Sequence, residues 1–246
     1  MVAKHANMPV AALEYLGGHG KFTILKAVAK HPSTPPAILE RLASHKQHTV
    51  VVVVAKNLET PLATLERLAA HPHAAVRSTL ASNQTVTPTI LKTLSRDKDE
   101  SVRLVVADNH QCPTALLKRL ALDQSVWVRG CVAANLNLPL ELVRKLTRDP
   151  EAGVRGWTIS RLLNEKQYDL LELLVRDPDR DVRNQVAIYA AFSSDLKAVQ
   201  LIAQLATDPD TRIRERIARY DDLDTATLEQ LLKDPDPEVR IPLAYN

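Results

Sequence analysis

Aliphatic residues three positions apart, Leu-x-x-Leu or a close equivalent, recur along this chain at a nearly fixed interval. The first of each pair stands at Leu13, Leu39, Leu65, Leu91, Leu117 and Val143, every step being 26 residues. It then stands at Leu171, Ile202 and Leu228, after steps of 28, 31 and 26. Counted from these anchors, position +3 is leucine in all nine units, from Leu16 to Leu231. Position +11 is Val or Ile, from Ile24 to Val239, and position +16 is Ala in eight of nine units, with Ile159 the exception. A period of this length marks a repeat architecture rather than a single globular core.

Each unit predicts two helices. A proline four residues before the anchor (Pro9, Pro35, Pro61, Pro113, Pro139) opens the first, because proline in the first turn gives up an N–H that has no helical partner. Thr34 and Thr60 precede it as N-caps. The anchor and the +3 residue then share one face. A segment such as His71-Pro72-His73 or Asp149-Pro150-Glu151 ends this helix, and Val76, Leu80 and Ala81 mark the buried face of the second. Val50–Val54 has the β-branched composition of a strand. The same positions elsewhere read Val-Arg-Ser-Thr-Leu-Ala, so a helix is expected here too, short or 3₁₀ throughout.

One such pair cannot bury its apolar face, whereas stacked pairs can. The prediction is an all-α fold, an α-solenoid of about nine helix-pair repeats forming a single domain over 1–246. The steps of 28 and 31 insert residues near Leu163–Asp169 and Phe192–Lys197 and drop the proline. Longer helices and a change of superhelical pitch are expected after about residue 160.

Composition narrows the function classes. Six glycines and 4% aromatics in 246 residues leave little material for the positive-φ turns of phosphate loops or β-hairpins. The net charge of +3 is too small to imply nucleic acid by itself. It is unevenly spread, with 15 Lys/Arg against 9 Asp/Glu in residues 1–123 and 17 against 20 in residues 124–246. Two cysteines, Cys112 and Cys131, make no disulfide framework, and no secretory or membrane-spanning segment stands out, which points to a reducing cytosol and no membrane.

The strings Asp-Pro-x-x-x-Val-Arg, Val-Ala-x-Asn and Pro-x-x-Leu-Leu-x-x-Leu resemble those of the leucine-rich repeat variant family, over about Val2–Asn246. The resemblance implies 26-residue units in a right-handed superhelix of alternating α and 3₁₀ helices. The Asp-to-Arg spacing of six also resembles HEAT repeats, to which the units after about residue 160 are closer. Some members of the variant family hold an iron–sulfur centre on an N-terminal cysteine cluster. This chain has no cysteine before Cys112, so no cofactor is carried over. Val2–His5 repeats Val28–His31, and Leu243–Asn246 matches Val132–Asn135. Because arrays usually carry polar capping units, this predicts a fragment of a longer array, an oligomer that covers its ends, or a bare natural terminus.

Several residue sets invite a chemical reading. Arg77, Arg103, Arg129, Arg155, Arg183, Arg214 and Arg240 stand at +12, each six residues after His71, Asp97, Asp123, Asp149, Asp177, Asp208 or Asp234. A phosphate-tracking stripe is one reading; a partly buried arginine–aspartate ladder between units is the stronger one. His19 and His45 hold the acidic position in units whose arginine is replaced by Leu25 and Val51, so the ladder lapses there. His45, His48, His71 and His73 lack the spacing of a metal site on one helix face. Gly17-Gly18-His19-Gly20-Lys21 lacks the Ser/Thr and glycine spacing of a phosphate loop and reads as the turn between the first two helices. No catalytic motif appears, and His110-Gln111-Cys112 is a bare pair.

Positions +10, +13, +14 and +17 share the other face of the second helix, the face that lines the concave side of a solenoid. That row carries Trp127, Gly130, Cys131, Gly153, Gly156 and Trp157 in adjacent units, and Arg212, Arg216 and Arg219 further on. Aromatics beside glycines suggest a pocket, with the arginines as a basic rim; gap-filling by the tryptophans is the competing reading. The expected function is a non-enzymatic scaffold binding a protein or peptide segment of acidic character. The alternative is a nucleic-acid protein resembling HEAT-like DNA glycosylases, with Asp108 or Asp181 as the carboxylate. A chromophore lyase rests on fold analogy alone.

Overall fold

The computed structural model describes residues 8–193 and 195–244. The half-unit motif Val2–His5 and the pair Tyr245–Asn246 lie outside the described residues. Tertiary contacts divide the chain into two compact units, Met1–Asn137 and Leu138–Asn246. All regular structure among the described residues is α-helical.

In the first unit, α1 (Val10–His19), α3 (Pro36–Leu42), α5 (Leu62–Leu68), α7 (Pro88–Leu94) and α9 (Thr114–Leu120) are the first helices of their pairs. They alternate with α2 (Phe22–Lys30), α4 (His48–Lys56), α6 (Ala74–Ala81), α8 (Glu100–Asp108) and α10 (Val126–Ala134). The anchors and the +3 leucines of α3, α5, α7 and α9 are buried, as are Val50, Val76, Val102, Val128 and the alanines at +16. Each such leucine or valine contributes about 1.5–3 kcal/mol of burial. Successive second helices pack directly on one another, whereas each first helix leans on the second helices that flank it and hardly meets the next first helix. The small +16 alanine permits that close approach. Within this unit the second helices therefore form the tightly spaced inner wall, and the leucine-rich first helices form the wider outer one.

Three local expectations are corrected. The second helix is α-helical rather than 3₁₀, and in the repeats from α3 to α10 it is the longer of the pair, eight or nine residues against seven. Alternation of valine with valine made Val50–Val54 strand-like, but tertiary burial of Val50, Val51 and Val54 on one helical face decides it. Pro9, Pro35, Pro61, Pro113 and Pro139 occupy the N-cap itself, with φ between −59° and −55°. Thr34 and Thr60 do not cap the following helix: their hydroxyls donate backwards to the carbonyls of Val28 (2.5 Å) and Val54 (2.7 Å), closing the preceding one. Among the described helices, a threonine caps only at Thr87, which accepts from Ile90 N–H ahead of Pro88. Finally, Gly17 and Gly18 are part of α1, and no glycine among the described residues has positive φ. Gly17 is needed for packing, since a Cβ there would meet Ile38 at 2.9 Å.

The second unit continues as α11 (Leu140–Leu146), α12 (Ala152–Trp157), α13 (Ile159–Asn164), α14 (Tyr168–Leu174) and α15 (Arg180–Ala190). Then come α16 (Leu196–Leu205), α17 (Thr211–Ala218), α18 (Thr225–Leu231) and α19 (Pro237–Leu243). The first inserted step prolongs a second helix beyond Thr158 as α13. That helix ends at Asn164, and Lys166, just past its C-cap Glu165, has a φ of 54°, the one positive value among the described non-glycine residues. Gln167 N–H then bonds back to the Leu162 carbonyl at 2.7 Å, the 6→1 closure of a left-handed C-terminal turn. The second inserted step lengthens α15 and α16 to 11 and 10 residues; α18 and α19 return to seven. Of the first helices that lose the proline, α16 and α18 are capped by Asp195 and Asp224, while α14 has Gln167 there without a side-chain cap; Asp179, Asp210 and Asp236 cap the second helices α15, α17 and α19.

Candidate functional site

Most of the polar groups in the repeat are used by the repeat itself. Arg77 reaches into the next pair, its Nη2 donating to Asp97 Oδ1 at 2.8 Å, while its Nη1 donates to the His71 carbonyl of its own pair at 2.6 Å. The same bidentate bridge joins Arg103 to Asp123, Arg155 to Asp177, Arg183 to Asp208 and Arg214 to Asp234. Arg129 donates to the Asp123 carbonyl at 2.9 Å, and Arg240 to the carbonyls of Asp234 and Pro235. Asp149 accepts from Glu151 N–H at 3.0 Å. The partner carboxylate holds the guanidinium pKa of Arg77, Arg103, Arg155, Arg183 and Arg214 above its ordinary value. Burial pushes Asp97 and Asp123 up, but the bonds from arginine and from the turn N–H outweigh it, leaving both below the usual carboxylate range.

A second ladder runs beside the first and was not singled out from sequence. At +18, Asn57, Asn83, Asn109 and Asn135 are buried. Their Nδ2 groups donate to Ala29, Ala55, Ala81 and Ala107 carbonyls of the preceding pair at 2.8, 2.8, 2.6 and 2.7 Å. In the second unit Tyr220 does this work, its hydroxyl donating to the Ala187 carbonyl at 2.9 Å. The Val-Ala-x-Asn string carried the signal, but an asparagine past a helix end reads equally well as a turn residue.

The histidines replace aspartate as turn acceptors. Asp97 Oδ1 accepts from Asp99 N–H at 2.9 Å; at the equivalent positions His45 Nδ1 accepts from Gln47 N–H at 3.1 Å and His71 Nδ1 from His73 N–H at 3.2 Å. His48 and His73 stack at 4.3 Å, with His71 at 5.6 Å from His73. Among the described residues no three His, Cys, Asp or Glu side chains are placed to hold a metal ion. Cys112 is buried, and its thiol is pushed up to about 11 by that burial, the opposite of an activated nucleophile.

The inner row is what remains. In the first unit Trp127 is 61% exposed, Gly130 is buried on α10, and burial followed by the charge of Asp108 raises the Cys131 pKa. In the second unit Gly153 has open space above it, while Gly156 is covered by Gln185, whose Oε1 lies 2.3 Å from where a Cβ would stand. Trp157 is half-buried. Arg216 donates to Asn184 Oδ1 at 2.7 Å, Arg219 pairs with Glu215, and Arg212 is exposed. Asp108 and Asp181 are both exposed at helix ends.

A cavity of about 490 Å³ opens on the inner wall of the first unit, lined by Pro32, Val52, Val53 and Leu58 together with Lys30, Lys56, Asn57 and Glu59. Val52 and Val53 hold the +13 and +14 positions that are Ser78 and Thr79 in the next pair. That departure from the repeat was the legible signal; the cavity itself needs Lys30 and Pro32 from the neighbouring pair.

No family model matches the chain, and no curated protein matches it. Among solved structures, a leucine-rich repeat variant described as having a novel repetitive structural motif is 22% identical, at a TM-score of 0.68 over 93% of this chain and 87% of that one. An Escherichia coli protein, YibA, is 16% identical at a TM-score of 0.49 over 92% and 96%. A computationally designed armadillo repeat protein for modular peptide recognition is 14% identical at a TM-score of 0.21 over 99% and 95%; these last two likenesses carry no argument. The first shows a shared architecture, and the chain has the fold of the leucine-rich repeat variants, an all-α solenoid of stacked helix pairs.

Proposed function

We propose that this chain is a non-enzymatic scaffold that binds a protein or peptide segment along the inner row of its second helices. The observation that carries it is the division between the two faces. The arginine–aspartate bridges and the asparagine ladder tie up polar groups between pairs, while the inner row leaves Trp127, Lys56 and Arg212 exposed. Exposed tryptophan and arginine are the residue types that anchor partners. Arginines already tied to buried carboxylates are poor phosphate contacts, which weighs against the nucleic-acid reading.

The proposal takes 1–246 as one array, with HEAT-like repeats from about residue 160, because the 26-residue step from Leu117 to Val143 is unchanged. No described helix is long and apolar enough to cross a membrane, and two free cysteines fit a reducing cytosol. The test is selection of a random-peptide library on the full chain, beside titration with duplex DNA at increasing salt. Peptide capture that falls in Trp127→Ala and Trp157→Ala variants of unchanged helicity is the expected result. Tight, salt-dependent duplex binding with no peptide captured would overturn it.

A further inference from the structure

The cavity at Val52 and Val53 is placed for a ligand rather than for packing. Three of its lining residues, Val52, Val53 and Lys56, are inner-row positions of α4, and a fourth, Lys30, is the inner-row residue at the end of α2. The walls are aliphatic: Val52, Val53, Pro32 and Leu58, the last 52% exposed although nothing polar recommends it to water. At about 490 Å³ the space is within the range of small-ligand and side-chain pockets. The chain leaves this site apolar where the next pair places Ser78 and Thr79.

Charge decides what fits. Lys30 and Lys56 line the cavity against the single Glu59. Lys26, at +13 of the preceding pair, adds a third ammonium to the same inner row, its Nζ 5.4 Å from the Phe22 ring centroid. An aliphatic cavity under a net positive rim rejects basic segments and accepts an apolar side chain flanked by carboxylates. Lysine near a helix C-terminus also complements the helix dipole, which explains one lysine per helix. It does not explain why both border the same apolar space.

We propose that this cavity is the specificity pocket of the scaffold, taking an aliphatic side chain from a partner segment whose neighbouring residues are Asp or Glu. This rests on the scaffold reading above and adds the place and the chemistry of recognition.

The experiment uses the full chain and the peptides that the random library yields on it. Expected is a consensus of one Leu, Ile or Val with acidic neighbours. Affinity for the selected peptides should fall at least about tenfold in Lys30→Glu/Lys56→Glu, and fall with salt in the wild type. Leu58→Ser, an exposed change with little structural risk, should weaken binding by several-fold, and far-UV circular dichroism should be unchanged in every variant. A neutral or basic consensus overturns the proposal. So do acidic peptides that bind the lysine variant and Leu58→Ser like the wild type, even if Trp127→Ala abolishes their binding; that result leaves the scaffold reading standing. No peptide captured at all overturns both.

Discussion

Loss of one buried arginine from the ladder should cost far more than loss of an exposed one in the same unit. Arg183 and Asp208 have side chains only 11% and 2% exposed, and the guanidinium makes two bonds to the carboxylate, at 2.7 and 3.0 Å, and one each to the Asp177 and Pro178 carbonyls, at 2.9 and 3.3 Å. Arg183→Met keeps the aliphatic stem and removes all four. The Asp208 carboxylate is then left buried with only the Asp210 N–H as a strong donor. Breaking a buried pair in this way costs about 3–5 kcal/mol. Arg144 and Asp169 form a bridge of similar length, 3.0 Å, with side chains 41% and 63% exposed; Arg144→Met should cost about 0.2–1 kcal/mol. Asp208→Asn keeps the turn acceptor and removes the charge, so it should fall between the two. The assay is urea unfolding followed by circular dichroism, comparing midpoints at unchanged slope. If Arg183→Met and Arg144→Met shift the midpoint equally, burial does not set the strength of the rungs and the argument for a structural ladder fails.

Asn83→Ala removes donors to the Ala55 and Asn57 carbonyls and the acceptor for Thr85 N–H. Leaving a buried carbonyl unpaired costs about 1–3 kcal/mol, and amide exchange should quicken around α4 and α6; an unaltered urea midpoint would contradict this. The His71 pKa lies below its ordinary value through burial first, then the charges of His73, Arg77 and His48. With the folded value depressed, the unfolded chain takes up the proton first. Stability should therefore drop as pH falls from about 6.5 through the lower folded value. His71→Asn keeps a turn acceptor that does not titrate and should flatten that part of the pH–stability curve; an identical curve would refute the assignment.

Which features were legible follows from how local their causes are. The anchors Leu13 to Leu171 and the +16 alanines were readable because a repeat multiplies a weak signal, and nearly all of them are buried. The arginine–aspartate spacing was readable for the same reason. The caps were not: Thr34 and Thr60 sit where an N-cap would, but their hydroxyls find the orphan carbonyl of the helix before, and one-dimensional order cannot choose between two helix ends equally near. That Gly156 receives Gln185, 29 positions later in the chain, was not legible either, because the contact joins two different repeats.

The sequence by itself determined the period, the helix pairs, the buried face and the residues free to pair between units. A side chain's identity and its place in the repeat suffice for that. The tertiary structure alone decided which carboxylate each arginine meets, how closely the second helices stack, and where an open apolar space remains. Each depends on the distance between neighbouring pairs. That distance is set by how closely small +16 residues let the second helices approach, a property of two repeats together that neither carries alone.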